Sequence, residues 1–206
     1  MTPVPLPMFP IGTVLFPTMV LPLHVFEPRY RALARDVVDG DGRFGVVLIE
    51  RGSEVGGGDV RTDLGTMAEV VDAQELDDGR WALTAVGRER IAVVDWLADD
   101  PYPRATVRSV PDEAVGPEPP DIEPLVGPLR RALALQAELG EARAPVDVAL
   151  SPDPALATLQ IGAIGPFGPM DQQQILAATD VGRRAALVAE LLVGAVELIE
   201  HRLGGT

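Results

Sequence analysis

The stretch LPMFPIGTVLFPTMVLPLHVFEPRYRAL, residues 6–33, decides how the first half of this chain is read. Its apolar run admits three readings: a secretory signal, a membrane anchor, or short β-strands leading into a helix. A signal peptide places basic residues before its apolar run and small residues after it. Here no basic residue precedes Arg29, and no A-x-A-like site follows. A membrane span needs about 20 continuous apolar residues, but Pro10, Pro17 and Pro22 cut the run into strand-length pieces. Proline suits strand starts and sheet edges and breaks helix interiors. The stretch therefore predicts strands over 6–11, 13–16 and 19–25, joined by turns, in a cytoplasmic protein.

The end of the same stretch predicts a helix over about 28–39. Pro28 suits the first helical position, where its missing N–H would be unsatisfied anyway. Glu27 sets negative charge at the positive end of the helix dipole. Tyr30, Leu33, Ala34 and Val37 then fall at i, i+3, i+4 and i+7, which is one apolar stripe. Gly40 supplies the stop.

Composition excludes more than it suggests. The 206 residues are 47% hydrophobic and only 4% aromatic, so the core is built of Val, Leu, Ala and Ile. The net charge of −14 repels phosphate backbones over most of the surface, which argues against nucleic acid as a partner. There is no Cys, which removes thiol nucleophiles, disulfides and Cys-based zinc sites. There is also no Lys; all 17 basic residues are Arg. A phosphate-loop lysine, a Ser-Lys dyad and Schiff-base chemistry are therefore absent from this chain. His24 and His201, the two histidines, lie far apart in sequence. The expectation is a protein with no metal, no cofactor and no catalytic residues.

Outward from the opening, RFGVVLIE (43–50) reads as a buried strand and 51–65 as a flexible connector. Gly52 and Gly57 have phosphate-loop spacing, but Gly58 stands where lysine is needed, so the segment reads as a surface loop. Residues 66–76 and 80–87 flank Asp77-Asp78-Gly79, a hairpin signal because Asp-Gly accepts positive φ. Gly87 is expected to turn the chain into a strand over 88–97, and 102–110 adds another. This is a β meander of barrel or sandwich type. Residues 111–124, proline-rich and acidic, read as a linker without tertiary contacts. Helices are expected near 122–140, 153–164, 170–178 and 180–203. In the last, Asp180 is the N-cap. Ala185, Val188, Leu192, Ala195 and Ile199 make one apolar stripe; Leu187, Leu191 and Leu198 make a second beside it. Arg183, Glu190 and Glu197 form a polar line. So wide an apolar face calls for burial against more than one neighbour. The fold class is α+β, with a β domain over 1–110, the linker 111–124, and a helical subdomain over 125–206.

The opening resembles that of the Lon substrate-binding domain, the N-terminal, PUA-like domain of Lon proteases. The marks are Phe9-Pro10, Leu15-Phe16-Pro17, and Leu21-Pro22-Leu23-His24 leading into Phe26-Glu27-Pro28-Arg29-Tyr30. AVGRERI (85–91) is similar to the family's G-x-x-R turn, and ILAATDVGRRAALVAELL to its C-terminal helices. The resemblance implies a β pseudo-barrel of about six strands with one inserted helix, followed by a helical bundle. It also implies recognition of unfolded or tagged polypeptide, with a separate protease or chaperone as a collaborator. Nothing in the chain corresponds to the ATPase module or the Ser-Lys dyad of the protease.

His24 reads as structural, bonded to a backbone carbonyl or to Glu27. Glu27, Arg29 and Arg31 read as capping and solvated pairing, Arg104 and Arg108 as edge-strand charges, and Trp81 and Trp96 as core or rim packing. The substrate-binding candidates are Leu15, Phe16, Met19 and Val20, apolar residues on a proline-punctuated loop, although core packing is the favoured reading of them. The function expected is therefore non-catalytic polypeptide binding by a monomer or weak dimer, without membrane or nucleic acid. The alternatives are an RNA-binding PUA-like protein and, last, a peptidase in its own right.

Overall fold

The computed structural model describes residues 4–51, 60–114 and 119–204. The chain divides into two compact units, Met1–Pro111 and Asp112–Thr206. The first is a six-stranded sheet with one helix: β1 (Val4–Ile11), β2 (Val20–Val25), α1 (Pro28–Asp39), β3 (Arg43–Arg51), β4 (Val60–Glu75), β5 (Trp81–Leu97) and β6 (Arg104–Ser109). The second carries α2 (Glu123–Glu138), α3 (Pro154–Ile164), α4 (Pro169–Ala177) and α5 (Val181–Gly204).

The strand order is β2-β5-β4-β3-β1-β6, and β6 also pairs with β5. The ladder from β5 through β4, β3, β1 and β6 thus returns to β5, and those five strands are paired on both sides. β5 spans the closure. Its first part pairs with β2 (Val20↔Val86 to Val25↔Trp81), and its last part with β6 (Ile91↔Ser109 to Leu97↔Arg104). Among the described residues β2 has a single partner, β5.

Burial follows the side-chain alternation of a strand covered on both faces. Along β1, Leu6 and Met8 join a cluster with Val47, Ile91, Ala105 and Val107, while Phe9 and Ile11 join another with Val25, Phe44 and Leu83. The second cluster receives the stripe of α1: Tyr30, Leu33, Ala34 and Val37 are all buried. Phe9 packs 4.5 Å from the Tyr30 ring and 6.2 Å, edge-on, from Phe44, centroid to centroid. Pro28 opens the helix as expected, and the Asp77-Asp78-Gly79 hairpin forms with Gly79 at φ 75°.

Several expectations are corrected. Residues 13–16 form no strand; their groups serve other segments. Thr66 Oγ1 donates to the Leu15 carbonyl at 2.6 Å, and Thr18, at φ 70°, donates its N–H to the Gly87 carbonyl at 2.7 Å. Gly87 does not turn the chain. It lies inside the continuous strand β5, where a Cβ would stand 2.3 Å from the Phe16 carbonyl oxygen. Glycine is there so that the loop can approach. The register passes from Met67↔Glu89 to Ala68↔Gly87, leaving Arg88 as an extra residue, a bulge that bends the strand. β4 begins at Val60, earlier than the expected 66. The Gly52–Gly58 phosphate-loop spacing lies outside the described residues.

In the helical unit the four helices lie within two residues of the expected bounds. α2, α3 and α4 each carry proline at the first or second position. The Asp153 carboxylate accepts the Ala155 N–H at 3.0 Å, and that of Asp180 accepts the Arg183 N–H at 2.8 Å. On α5, Val181, Arg184, Ala185, Val188, Leu192 and Ile199 are buried. The second stripe is only partly covered: Leu187 and Leu191 are half-buried and Leu198 is 62% exposed. Contrary to the linker reading, Asp112 and Glu113 make tertiary contacts within this unit. Asp112 pairs with Arg184, and the Thr179 hydroxyl donates to Glu113 at 2.7 Å.

Candidate functional site

The partnered side of β2 determines what its other side offers. Leu21 and Leu23 pack partly buried against the core and Val25 is fully buried there, while Val20, Pro22, His24 and Phe26 alternate to the exposed side. Beside the strand lies an open cleft of about 280 Å³. β1 contributes Phe9, Pro10 and Ile11 to it, β2 contributes Leu21 and Leu23, and Phe26 and Tyr30 come from the entry to α1. Phe26, in the lining, is 58% exposed, and Val20, next in sequence to the lining residue Leu21, is 61% exposed. The lining is mainly apolar, with Thr13, His24 and Glu27 as polar exceptions.

Charge at the site is tied down locally. Arg29 Nε donates to the Glu27 carboxylate at 3.2 Å, and its guanidinium lies 4.5 Å over the Tyr30 ring. Arg31 crosses the β4–β5 hairpin, where a Cβ on Gly79 would meet its Nη2 at 2.0 Å. The expected structural bond of His24 is not found: its ring is exposed and has no hydrogen-bond partner among the described residues. No group of three or more His, Asp or Glu side chains suited to a metal occurs among the described residues. What the arrangement can do chemically is cover apolar side chains next to a strand edge that has no partner among the described residues.

The four loop candidates do not stay together. Leu15 and Phe16 are buried, 5% and 1% exposed, as the favoured core-packing reading has it, and so are not available as surface binding candidates. The Thr66 and Gly87 bonds pull their loop onto the sheet. Met19 is half-buried against the core, and of the four Val20 alone stands out on the surface. Phe26 was missed as a site residue. Its signal was the two-residue alternation from Val20 through Pro22 and His24, which puts it on the outward side.

Trp81 is buried in the core, and Trp96 is half-buried beneath the Arg61 guanidinium at 4.8 Å. Arg104 and Arg108 share an exposed face of β6, but that strand is paired on both sides and is no edge. Elsewhere in this unit, Tyr102 donates to the Asp36 carboxylate at 2.7 Å. Burial, reinforced by this bond, pushes the phenol up to about 12.

Comparison with known proteins agrees across the length of the chain. The family described as the ATP-dependent protease La (LON) substrate-binding domain matches residues 5–194. The Lon protease of Anaeromyxobacter dehalogenans is 31% identical over 197 residues, covering 92% of this chain and 23% of that protein. Lon protease 2 of Myxococcus xanthus is 32% identical over 194 residues, covering 91% and 23%. The chain thus spans about a quarter of the length of these curated relatives. Among solved structures, a Lon N-terminal domain protein from Xanthomonas campestris superposes with a TM-score of 0.66 at 26% identity, over 92% of this chain and 98% of that one. The N-terminal domain of the Mycobacterium avium complex Lon protease gives 0.63 at 19% identity, a likeness of fold, over the same shares. No helix among the described residues is long and apolar enough to cross a membrane.

Proposed function

The chain belongs to the Lon substrate-binding domain family, and from that premise we propose that it is a non-catalytic module that binds unfolded or tagged polypeptide. The observation that carries the reading is the apolar cleft beside β2, with Phe26 exposed in its lining and Val20 exposed on the same strand. Large apolar groups clustered on a surface are costly in water and mark binding sites. The match lies within a substrate-binding domain, and the 206 residues hold no lysine for a Ser-Lys dyad or a phosphate loop. Hydrolysis falls to a separate protease, or refolding to a chaperone, with this chain presenting the client in the cytoplasm. The closed ladder is read as a PUA-like pseudo-barrel with α1 inserted, and α2–α5 as the accompanying bundle. Monomer or weak dimer follows from the net charge of −14, which opposes self-association.

The test is binding of fluorescently labelled, permanently unfolded carboxymethylated lactalbumin to the purified chain. Affinity in the micromolar range is expected. Phe26→Asp combined with Val20→Asp weakens it by about tenfold or more, because a charge in the lining and another on the exposed strand must be desolvated. No binding at high protein concentration overturns the reading. Casein incubated with the pure chain, with or without ATP, stays intact; its degradation points instead to a peptidase.

A further inference from the structure

We propose that the free edge of β2 takes its polypeptide as an added β-strand, held by main-chain hydrogen bonds as well as by the apolar cleft. This deepens the polypeptide-binding reading and rests on it. The Gly87 N–H donates to the Met19 carbonyl at 2.9 Å, so the main-chain groups of residue 19 face β5. A strand repeats every two residues; those of 21, 23 and 25 therefore face β5, in register with Ala85, Leu83 and Trp81. The groups of Val20, Pro22 and His24 face away from the sheet, where β2 has no pairing partner among the described residues. Pro22 fits this phase: lacking an N–H, it stands where no bond to β5 is lost.

The outward edge thus offers the N–H and C=O of Val20, the C=O of Pro22, and the N–H and C=O of His24. All three residues are exposed. Only an extended main chain matches alternating donors and acceptors at that spacing. The cleft lies beside the same strand, so alternate side chains of an added segment meet its apolar lining. The class of ligand follows: an extended segment with apolar residues at every second position, without proline at the paired positions, and otherwise tolerant of sequence. A second copy of this chain is disfavoured as the occupant. Pro22 interrupts the donor row, a device that blunts edge-to-edge assembly, and two chains of charge −14 repel each other.

The probe is a synthetic peptide of about ten residues, alternating Val and Thr with a central Phe. Single N-methyl groups are placed at successive positions, and binding to the full chain is followed by fluorescence polarisation. N-methylation removes one donor and leaves every side chain. Affinity is expected to fall about tenfold at every second position and to hold at those between. On the protein side, His24→Pro removes an outward N–H without touching the β5 ladder. It is expected to weaken the peptide by about fivefold at an unchanged melting temperature. A methyl scan without alternation overturns strand addition whether or not His24→Pro folds, and leaves polypeptide binding standing. Binding of unfolded lactalbumin without binding of the parent peptide also overturns it. Binding of neither sinks both readings.

Discussion

The β unit buries two polar side chains among its described residues, Thr66 and Arg90, whereas the helical unit buries Gln136, Thr158, Gln172, Gln173 and Arg184. The difference comes from the backbone. A closed ladder gives each strand neighbours for its own N–H and C=O groups. A short helix leaves its last four carbonyls without intrahelical partners. Two long side chains supply donors at the end of α3. Gln172 Nε2 donates to the Gly162 carbonyl at 3.2 Å, and Arg143 Nη1 to those of Gly165 and Phe167 at 3.1 and 3.2 Å. At the centre, Arg184 is 0% exposed and uses its whole guanidinium. Nε donates to Thr158 Oγ1 at 2.8 Å, and Nη1 to Asp112 and the Ala178 carbonyl, both at 2.6 Å. Nη2 donates to Asp112 at 3.1 Å and the Ala155 carbonyl at 2.9 Å. The helical unit thus adds to its apolar packing a buried charge whose whole guanidinium is hydrogen-bonded.

The sharpest way to break this contrast is Asp112→Ala. It leaves the Arg184 charge buried without its counter-ion and is expected to cost about 3–5 kcal/mol. Denaturant unfolding followed by circular dichroism measures it, and a midpoint equal to the parent's would show that the pair carries no stability. In the β unit the corresponding weak point is a shape. Gly87→Ala drives a methyl into the Phe16 carbonyl and is expected to cost about 1–3 kcal/mol, read as a lower melting temperature.

A smaller effect sharpens the comparison through pH. The folded-state pKa of Tyr102 is raised, by burial first and then by Asp36, from 10.0 to about 12. Its neutral form is therefore favoured on folding. That contribution is whole below pH 10 and is lost as pH rises from there through about 12. Tyr102→Phe should flatten the alkaline fall in stability, at a cost of about 1 kcal/mol near neutrality for the lost hydrogen bond. A tyrosinate absorbance titration of the folded chain with every phenol ionising at its ordinary value would contradict the assignment. The smallest effect is the control: Glu190→Gln, exposed on α5, should change stability by less than about 0.5 kcal/mol.

Much of the fold was legible in the chain, wherever the cause is local. Proline at the first turn, aspartate caps and a 3.6-residue apolar stripe act within a few residues, so α1 and the four later helices were readable to within two residues at their ends. The Asp-Gly hairpin was readable for the same reason. The candidate site was legible only in part. The pattern names Leu15, Phe16, Met19 and Val20 together, with core packing favoured, and the structure separates them into buried Leu15 and Phe16 and exposed Val20, because apolar residues and prolines do not say which side of a loop meets the sheet.

By itself, then, the sequence determined the helices, the hairpin, the family resemblance and the exclusion of thiol and lysine chemistry, since each depends on residue type and near spacing. Tertiary structure alone decided the rest. Leu15 and Phe16 went inside because Thr66 and Gly87, more than fifty residues away, draw their loop down. Arg184, one residue from the polar line that begins at Arg183, became a buried centre because Asp112 and the carbonyls of Ala155 and Ala178 converge on it. β2 became the open edge because β5 is long enough to pair with both β2 and β6, and closes the ladder without it. These outcomes rest on contacts between distant residues, and a burial pattern set by such contacts leaves no periodic trace in the chain.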